Sequence, residues 1–509
     1  MQADDVQSRQ AGFVRHCLNT VSMDRNAEQI DKMSDEGYNK NAGMCKKIYG
    51  DDFMSDYETG IQTAEKIARL TAEKGGRAYY VGGYVRDRLL GRETKDIDIE
   101  VHGITPEDLE KILDSLGQRI EMGKSFGVYG LKGCTLDIAM PRKETATGLG
   151  HRDFDVIVAP YIGTEKAAQR RDFTINALMQ DVLTGEIIDH FDGMNDLRKG
   201  VIRHVNTAAF PEDPLRVLRA AQFAARFDFH IAEETMVLCS KIDLHTLSKE
   251  RIEGELRKAL LKAEKPSVFW EVLREMDQLS VWFPEIGQLI GIPQNPKYHM
   301  EGDVWTHTMM VLDEAAKYRD RVEKPFGFLL TALVHDLGKI VCTEEKNGVI
   351  HAYEHETKGL PTIREFLSRI TNEKKRMHYV LNLAELHMKP NMLAAAQASV
   401  KSTNKMFDKA VCPLDLIYIA VADSFGKVSA EPVVSAESFL LERYAIYKSI
   451  MEKPYVTGKD LIAAGLAPTR NFSEILAYAH KLRLAGIEKE SARKQTLAYA
   501  RKMTNSEKR

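Results

Sequence analysis

Apolar positions first recur with a fixed period from Tyr57 onward. Ile61, Ala64, Ile67, Ala68, Leu70 and Ala72 keep helical spacing, Gly75 and Gly76 end the run, and Ala78-Tyr79-Tyr80-Val81 reads as a buried strand. Residues 96–101 then alternate acidic and apolar side chains with period two; a helix is predicted over 106–116 and strands over 127–131 and 136–140. Beyond Pro211 the alternation gives way to helix-period apolar faces over 215–227, 233–241, 249–261 and 267–276, and the remainder reads as almost entirely helical. The stretch 291–296, which contains prolines, marks a boundary before a helical block rich in histidine. The pattern predicts an α+β protein: an extension at 1–56 with one short helix around 8–21, a small α/β head at 57–190, a helical neck at 191–290, a helical block at 291–434 and a helical tail at 435–509.

The 509 residues, at about 150 per domain, call for roughly three cores rather than one. With 44% hydrophobic and 28% charged residues the chain is neither collagen-like nor wholly disordered. The first residues carry no apolar stretch of signal-peptide length, and no later run reaches about 18 uninterrupted apolar residues, so a cytoplasmic protein with no membrane partner is expected. Six cysteines (Cys17, Cys45, Cys134, Cys239, Cys342, Cys412) lie far apart with no C-x-x-C pair and read as reduced thiols. A formal charge of −3 gives no global attraction to polyanions, so a nucleic-acid partner requires a local basic surface. Arg170, Arg171, Arg198, Lys199, Arg203, Arg216, Arg219, Arg226 and Arg251 supply one.

Chemistry concentrates first at 81–98. In Val81-Gly82-Gly83-Tyr84-Val85-Arg86-Asp87, two glycines between a strand and a helix start let backbone N–H groups approach a phosphate, and Arg86 reaches the same anion. Asp96 and Asp98, one residue apart on a strand, put two carboxylates on one face, hard oxygen ligands suited to Mg²⁺. Asp137 lies on a later apolar strand. If the two strands pair, three carboxylates converge and the chemistry implied is nucleotidyl transfer.

These residues, GGYVRDRLLGRETKDIDIE, resemble the opening catalytic motif of class II tRNA nucleotidyltransferases and bacterial poly(A) polymerases, within the polymerase-β-like superfamily. The resemblance continues through Arg170-Arg171-Asp172-Phe173-Thr174-Ile175-Asn176-Ala177, Ile188-Asp189-His190-Phe191-Asp192-Gly193 and Glu212-Asp213-Pro214-Leu215-Arg216-Val217-Leu218-Arg219. It implies Mg²⁺ binding by Asp96 and Asp98, triphosphate contacts by Gly83, Arg86 and Arg171, and a ribose contact by Asp172. Three residues apart on a helix, Asp213 and Arg216 would offer an acceptor and a forked donor to one base edge, a pattern that suits cytosine and adenine and not guanine or uracil. The resemblance implies this use, with the protein as template for CTP and ATP. Gln222 stands where relatives commonly carry another arginine, which shifts triphosphate affinity toward Arg216 and Arg219.

A second constellation spans 299–423: His307, the adjacent His335-Asp336, His355, His387 and Asp423. Imidazoles and carboxylates on separate helices of a bundle suit a divalent metal that activates water. The block resembles an HD phosphohydrolase domain, with His307, His335, Asp336 and Asp423 as the metal set and Ni²⁺, Co²⁺ or Mn²⁺ as candidate ions. His355 and His387 would complete a second metal site or bind phosphate. Gly458-Lys459-Asp460-Leu461 resembles the family's C-terminal stretch, but Ala467-Pro468-Thr469-Arg470 lacks the glycine that usually follows its proline. The expectation is an enzyme, monomer or homodimer, that adds CCA to the tRNA acceptor end from CTP and ATP, with a second, metal-dependent phosphohydrolase activity on 2′,3′-cyclic phosphates or 2′-phosphates. A poly(A) polymerase, or an HD phosphohydrolase with a nucleotide-binding head, is the alternative.

Overall fold

A computed structural model describes residues 51–506 apart from 93, 95, 122–126, 147–153, 431 and 469. The extension expected at 1–56 therefore lies, up to residue 50, outside the described residues. The chain packs as two compact units: residues through 248 with 275–278, and residues 249–274 with 279 onward.

In the first unit, helix α1 (Asp51–Glu73) ends before Gly75, whose φ of 81° reverses the chain into strand β1 (Arg77–Val81). There follow α2 (Gly83–Leu89), β2 (Ile97–His102), α3 (Pro106–Leu116), β3 (Arg119–Glu121), β4 (Val128–Leu131) and β5 (Leu136–Ala139). Helix α3 starts where its sequence dictates: the Thr105 hydroxyl accepts the Asp108 amide at 3.2 Å and Pro106 occupies the first turn. A separate hairpin pairs β6 (Arg142–Ala146) with β7 (Phe154–Val158), and β8 (Met179–Asp181) and β9 (Ile187–Ile188) complete a seven-stranded sheet of order β3-β4-β5-β2-β1-β8-β9. Ile97, Ile99 and Val101 leave β2 on the face that is sealed from water, as do Ala64, Ile67 and Ala68 of α1. Later in the unit comes helix α4 (Leu215–Phe227), whose apolar side is buried.

Helices expected over 106–116 and 215–227 have those bounds, and past residue 211 the described chain is almost entirely helical, as expected, with short strands as the exceptions. Val201–Ile202 pairs in parallel with His230–Ile231. A hairpin of β10 (Glu344–Lys346) and β11 (Val349–His351) turns through Asn347 and Gly348, both at positive φ. Its first strand is charged and exposed and its second, Val349-Ile350-His351, is only three residues long, so no apolar alternation announced it.

The second unit is a helical bundle. Around the histidine block stand α5 (Val304–Ala316), α6 (Pro325–Val334), α7 (Lys374–Leu386) and α8 (Pro413–Phe425). The neck expected at 191–290 is divided, because residues 249–274 pack with this bundle: the Arg257 guanidinium lies 4.2 Å from the Phe326 ring centroid and Lys249 Nζ donates to the Ser368 carbonyl at 2.9 Å. The 18 residues Pro325–Cys342 are apolar enough to cross a membrane by length and composition, yet 78% of the stretch is buried and it carries His335 and Asp336; it is a core helix and turn. The four described cysteines, Cys134, Cys239, Cys342 and Cys412, are unbridged.

Candidate active sites

Strands β2 and β5 run parallel with Asp98 directly opposite Asp137, the pairing that the head chemistry requires. Adjacent strands lie about 4.8 Å apart, so the two carboxylates confront each other. Burial, and after it the charge of Asp137, pushes the Asp98 carboxyl up to about 6, with Asp96 adding to the push and Arg171 opposing it. Asp96 sits just before the strand, exposed, rather than on it. Burial and the charge of Asp96 raise the Asp137 carboxyl as well, and carboxylates crowded in this way fit a site for a divalent cation.

Gly82 precedes α2 at φ 66°, ψ −131°, a conformation open to glycine, and a Cβ there would stand 3.1 Å from Arg171 Nη1. Arg171 also donates to the Asn176 carbonyl and to Glu100, each at 3.3 Å. Glu100, two residues beyond Asp98 on the same face and 1% exposed, escaped the sequence reading. Burial alone would raise its carboxyl, but the His102 hydrogen bond and the charges of Arg171 and Arg170 hold it at about 2. It is the buried anion that fixes Arg171 beside the glycine loop.

Arg86 is placed differently from the sequence expectation. Its guanidinium is 3% exposed, bonds Asp87 and Asn176, and lies over the rings of Phe227 and Phe223 at 4.6 and 5.1 Å. It braces the glycine loop against α4 and does not open toward the loop's outer side. Asp172 accepts from the Phe173 amide, from Asn176 Nδ2, and from Arg219 Nε and Nη2, so four donors already fill its carboxylate. Asp213 lies ahead of α4 in extended backbone, not on the helix; its carboxylate accepts the Leu215 amide. Arg216 is held by the carbonyls of Ala209 and Arg170 at 2.7 and 2.8 Å. Gln222, buried on the same helix, has an Nε2 without a hydrogen-bond partner.

In the second unit all six predicted groups converge. His307 Nε2 lies 3.2 Å from Asp423 Oδ1, and His335 Nε2 lies 3.3 Å from Asp336 Oδ2. The other Asp336 oxygen faces His355 Nε2 at 3.1 Å and His387 Nε2 at 3.9 Å. The four rings are oriented alike: Nδ1 of His335, His355 and His387 donates to the carbonyls of Ala332, Ala352 and Ala384, and Nδ1 of His307 to Glu301. Each ring therefore aims Nε2 inward, the orientation metal-ligating histidines take from their outer partners. The buried Nε2 atoms of His307 and His335 have no hydrogen-bond partner, a cost that a cation would remove. Burial, with His335 and His355 nearby, holds His387 neutral down to about 3, the form that can ligate. Gly338 makes the approach possible, since a Cβ there would stand 1.9 Å from the His355 carbonyl oxygen. Glu301 and Lys339 are parts of this site that the sequence reading did not single out.

Residues 78–203 match the Poly A polymerase head domain, and residues 304–426 match the HD domain. A curated relative, the Multifunctional CCA protein of Actinobacillus pleuropneumoniae serotype 5b (strain L20), is 38% identical over 317 residues, 61% of this chain and 74% of that protein. The chain belongs to the multifunctional CCA protein family. Solved structures share the fold. The Thermotoga maritima CCA-adding enzyme complexed with tRNA is 21% identical, with a TM-score of 0.58 over 85% of this chain and 93% of that one. A CCA-adding enzyme in complex with ATP is 22% identical, with a TM-score of 0.58 over 84% and 90%. In this chain the carboxylate cluster lies in the segment matched by the head model and the histidine cluster in the segment matched by the HD model.

Proposed function

We propose that this chain adds cytidylate and adenylate residues to the 3′ end of tRNA, using CTP and ATP, at the head site. The observation that carries the reading is the register that sets Asp98 against Asp137 on the strand beside the Gly82 loop and Arg171. The RNA 3′-hydroxyl oxygen forms a bond to the α-phosphorus, the bond from that phosphorus to the bridging oxygen breaks, pyrophosphate leaves, and the hydroxyl proton passes to the carboxylate cluster. A divalent cation held by Asp96, Asp98 and Asp137, Mg²⁺ by the hardness of its ligands, would supply charge neutralisation to the departing pyrophosphate. The Gly82-Gly83 amides and Arg171 orient the triphosphate. Arg216, its fork held by two carbonyls, presents a donor to the base edge beside Asp213. Incubation with tRNA ending before CCA, and CTP and ATP alone and together, should give CC addition with CTP and A addition only after it. Untemplated runs of A would point to poly(A) polymerase instead.

The orphaned Nε2 atoms of His307 and His335 favour a second reaction in the helical unit. A transition metal held by His307, His335, Asp336 and Asp423 would make a water a better nucleophile. In the hydrolysis itself a water oxygen bonds to the phosphorus of a 2′,3′-cyclic phosphate or a 2′-phosphate, the phosphorus–ribose oxygen bond breaks, and a proton from the water ends on the ribose oxygen. Asp336, with one oxygen toward each half of the ligand set, holds the two halves in register. Both reactions act on the end of RNA, in the cytoplasm.

A further inference from the structure

Two surface segments run straight from the ligand shell of the histidine centre. The first is 294–301. At its start Gln294 Oε1 accepts from Lys339 Nζ at 2.7 Å, and the same Nζ lies 2.7 Å from Asp336; at its end Glu301 accepts from both His299 and His307. Between these anchors the Tyr298 ring is 54% exposed, with Lys297 Nζ 5.3 Å from its centroid. The second is the β10–β11 hairpin and its exit to His355. Here Tyr353, 60% exposed, stacks on His351 with centroids 4.8 Å apart and planes 14° off parallel, and the carbonyl of the next residue back, Ala352, receives the Nδ1 proton of His355. Asn295 Nδ2 donates to the Ile350 carbonyl at 3.4 Å, so the two segments lie side by side.

Large rings in water are poorly placed unless something covers them, and here two of them are held on short segments pinned to a set of metal-ligating groups. Flat aromatic faces with a cation among them are the chemistry that receives a nucleobase. One face of Tyr353 is already backed by His351, which leaves the other for a single base. We propose that Tyr353 on its His351 backing, together with Tyr298, forms a nucleobase platform beside the histidine centre, so that this site takes a nucleoside phosphate, free or at the end of an RNA strand, in preference to a phosphate ester without a base. The inference rests on the phosphohydrolase reading above and assigns base recognition at that site to Tyr353 and Tyr298.

The test measures hydrolysis by the full chain, loaded with Ni²⁺, Co²⁺ or Mn²⁺, of three probes: adenosine 2′,3′-cyclic phosphate, a short RNA ending in a 2′,3′-cyclic phosphate, and glycerol 1,2-cyclic phosphate, which has the ring phosphate and no base. Base stacking lost in Tyr353→Ala should raise KM for the two nucleotide probes by ~10-fold or more, with kcat nearly unchanged. Hydrolysis of the glycerol ester and nucleotide addition to tRNA should keep their wild-type rates, and Tyr353→Phe should restore KM. Tyr298→Ala should act in the same direction. If only the RNA probe responds, the platform receives a strand terminus; if both nucleotide probes respond equally, a free nucleotide suffices. Equal loss on all three probes, or no change on any, overturns the platform while leaving the phosphohydrolase reading intact. Absence of hydrolysis of every probe in the wild type overturns the reading itself, and the platform with it.

Discussion

Alternation along β2 sends Asp98 out of one face while Ile97 and Ile99 are sealed in the other, and the parallel neighbour sets Asp137 beside it. Two like charges in a half-buried pocket destabilise the fold and reward a cation, so function and stability pull Asp98 in opposite directions. Asp98→Asn should therefore leave the thermal midpoint equal or higher in metal-free buffer, while the rate of nucleotide addition drops by at least ~10²-fold and tRNA binding in a filter assay is unchanged. A midpoint that falls with activity would make Asp98 a structural residue. At the base-reading position the fork of Arg216 is fixed by the Ala209 and Arg170 carbonyls. An ammonium cannot fill both acceptors and still present a planar edge, so Arg216→Lys should lose discrimination against UTP and GTP nearly as fully as Arg216→Ala, read from competition between labelled nucleotides. At this scale the sequence named Asp98, Asp137 and Arg216, because their neighbours in the chain carry the motif. It did not reveal that the Asp172 carboxylate is filled by Arg219, 47 residues on, or that Glu100 is the buried partner of Arg171. Those facts are made by pairing between distant segments.

Elements decide how the histidine centre is assembled. Four helices and one turn each contribute a ligand-bearing end, and the tightest contact among them is between backbones, at Gly338 and the His355 carbonyl. A methyl group there has nowhere to go without moving the segment that carries His355. Gly338→Ala should weaken metal retention and phosphate ester hydrolysis by ~10-fold or more while nucleotide addition continues, measured as bound metal per chain after gel filtration alongside both activities. Retention at the wild-type level would show that the 352–359 segment adapts. Amphipathic helices such as α3 were legible with their ends, since apolar period, the Thr105 cap and the Gly117 breaker agree. The β10–β11 hairpin was not: Glu344-Glu345-Lys346 and Val349-Ile350-His351 are too short to show an alternation, and the one available signal was Asn347-Gly348. That element delivers His351 and Tyr353 beside His355, so the least legible part of the unit is the one that shapes access to it.

At the scale of the whole chain, the two sets of ligands belong to different compact units and differ in kind: oxygen alone at Asp96, Asp98 and Asp137, imidazole with carboxylate at His307, His335, Asp336 and Asp423. Residues 249–274 have the same helical pattern as the neck before them, and their partners, Phe326 and the Ser368 carbonyl among others, group them with the bundle. Ligand hardness then predicts two metal profiles in one chain. Nucleotide addition should be supported best by Mg²⁺, and phosphate ester hydrolysis by Ni²⁺, Co²⁺ or Mn²⁺ with little activity in Mg²⁺ alone. The double variant His335→Ala, Asp336→Ala should abolish the hydrolysis in every metal and leave CCA addition within about twofold, because both side chains belong to the compact unit that does not carry the carboxylate cluster. Circular dichroism melting of the variant separates loss of the ligand set from loss of the bundle. Equal loss of both activities, with the bundle still folded, would mean that the two sites do not work independently.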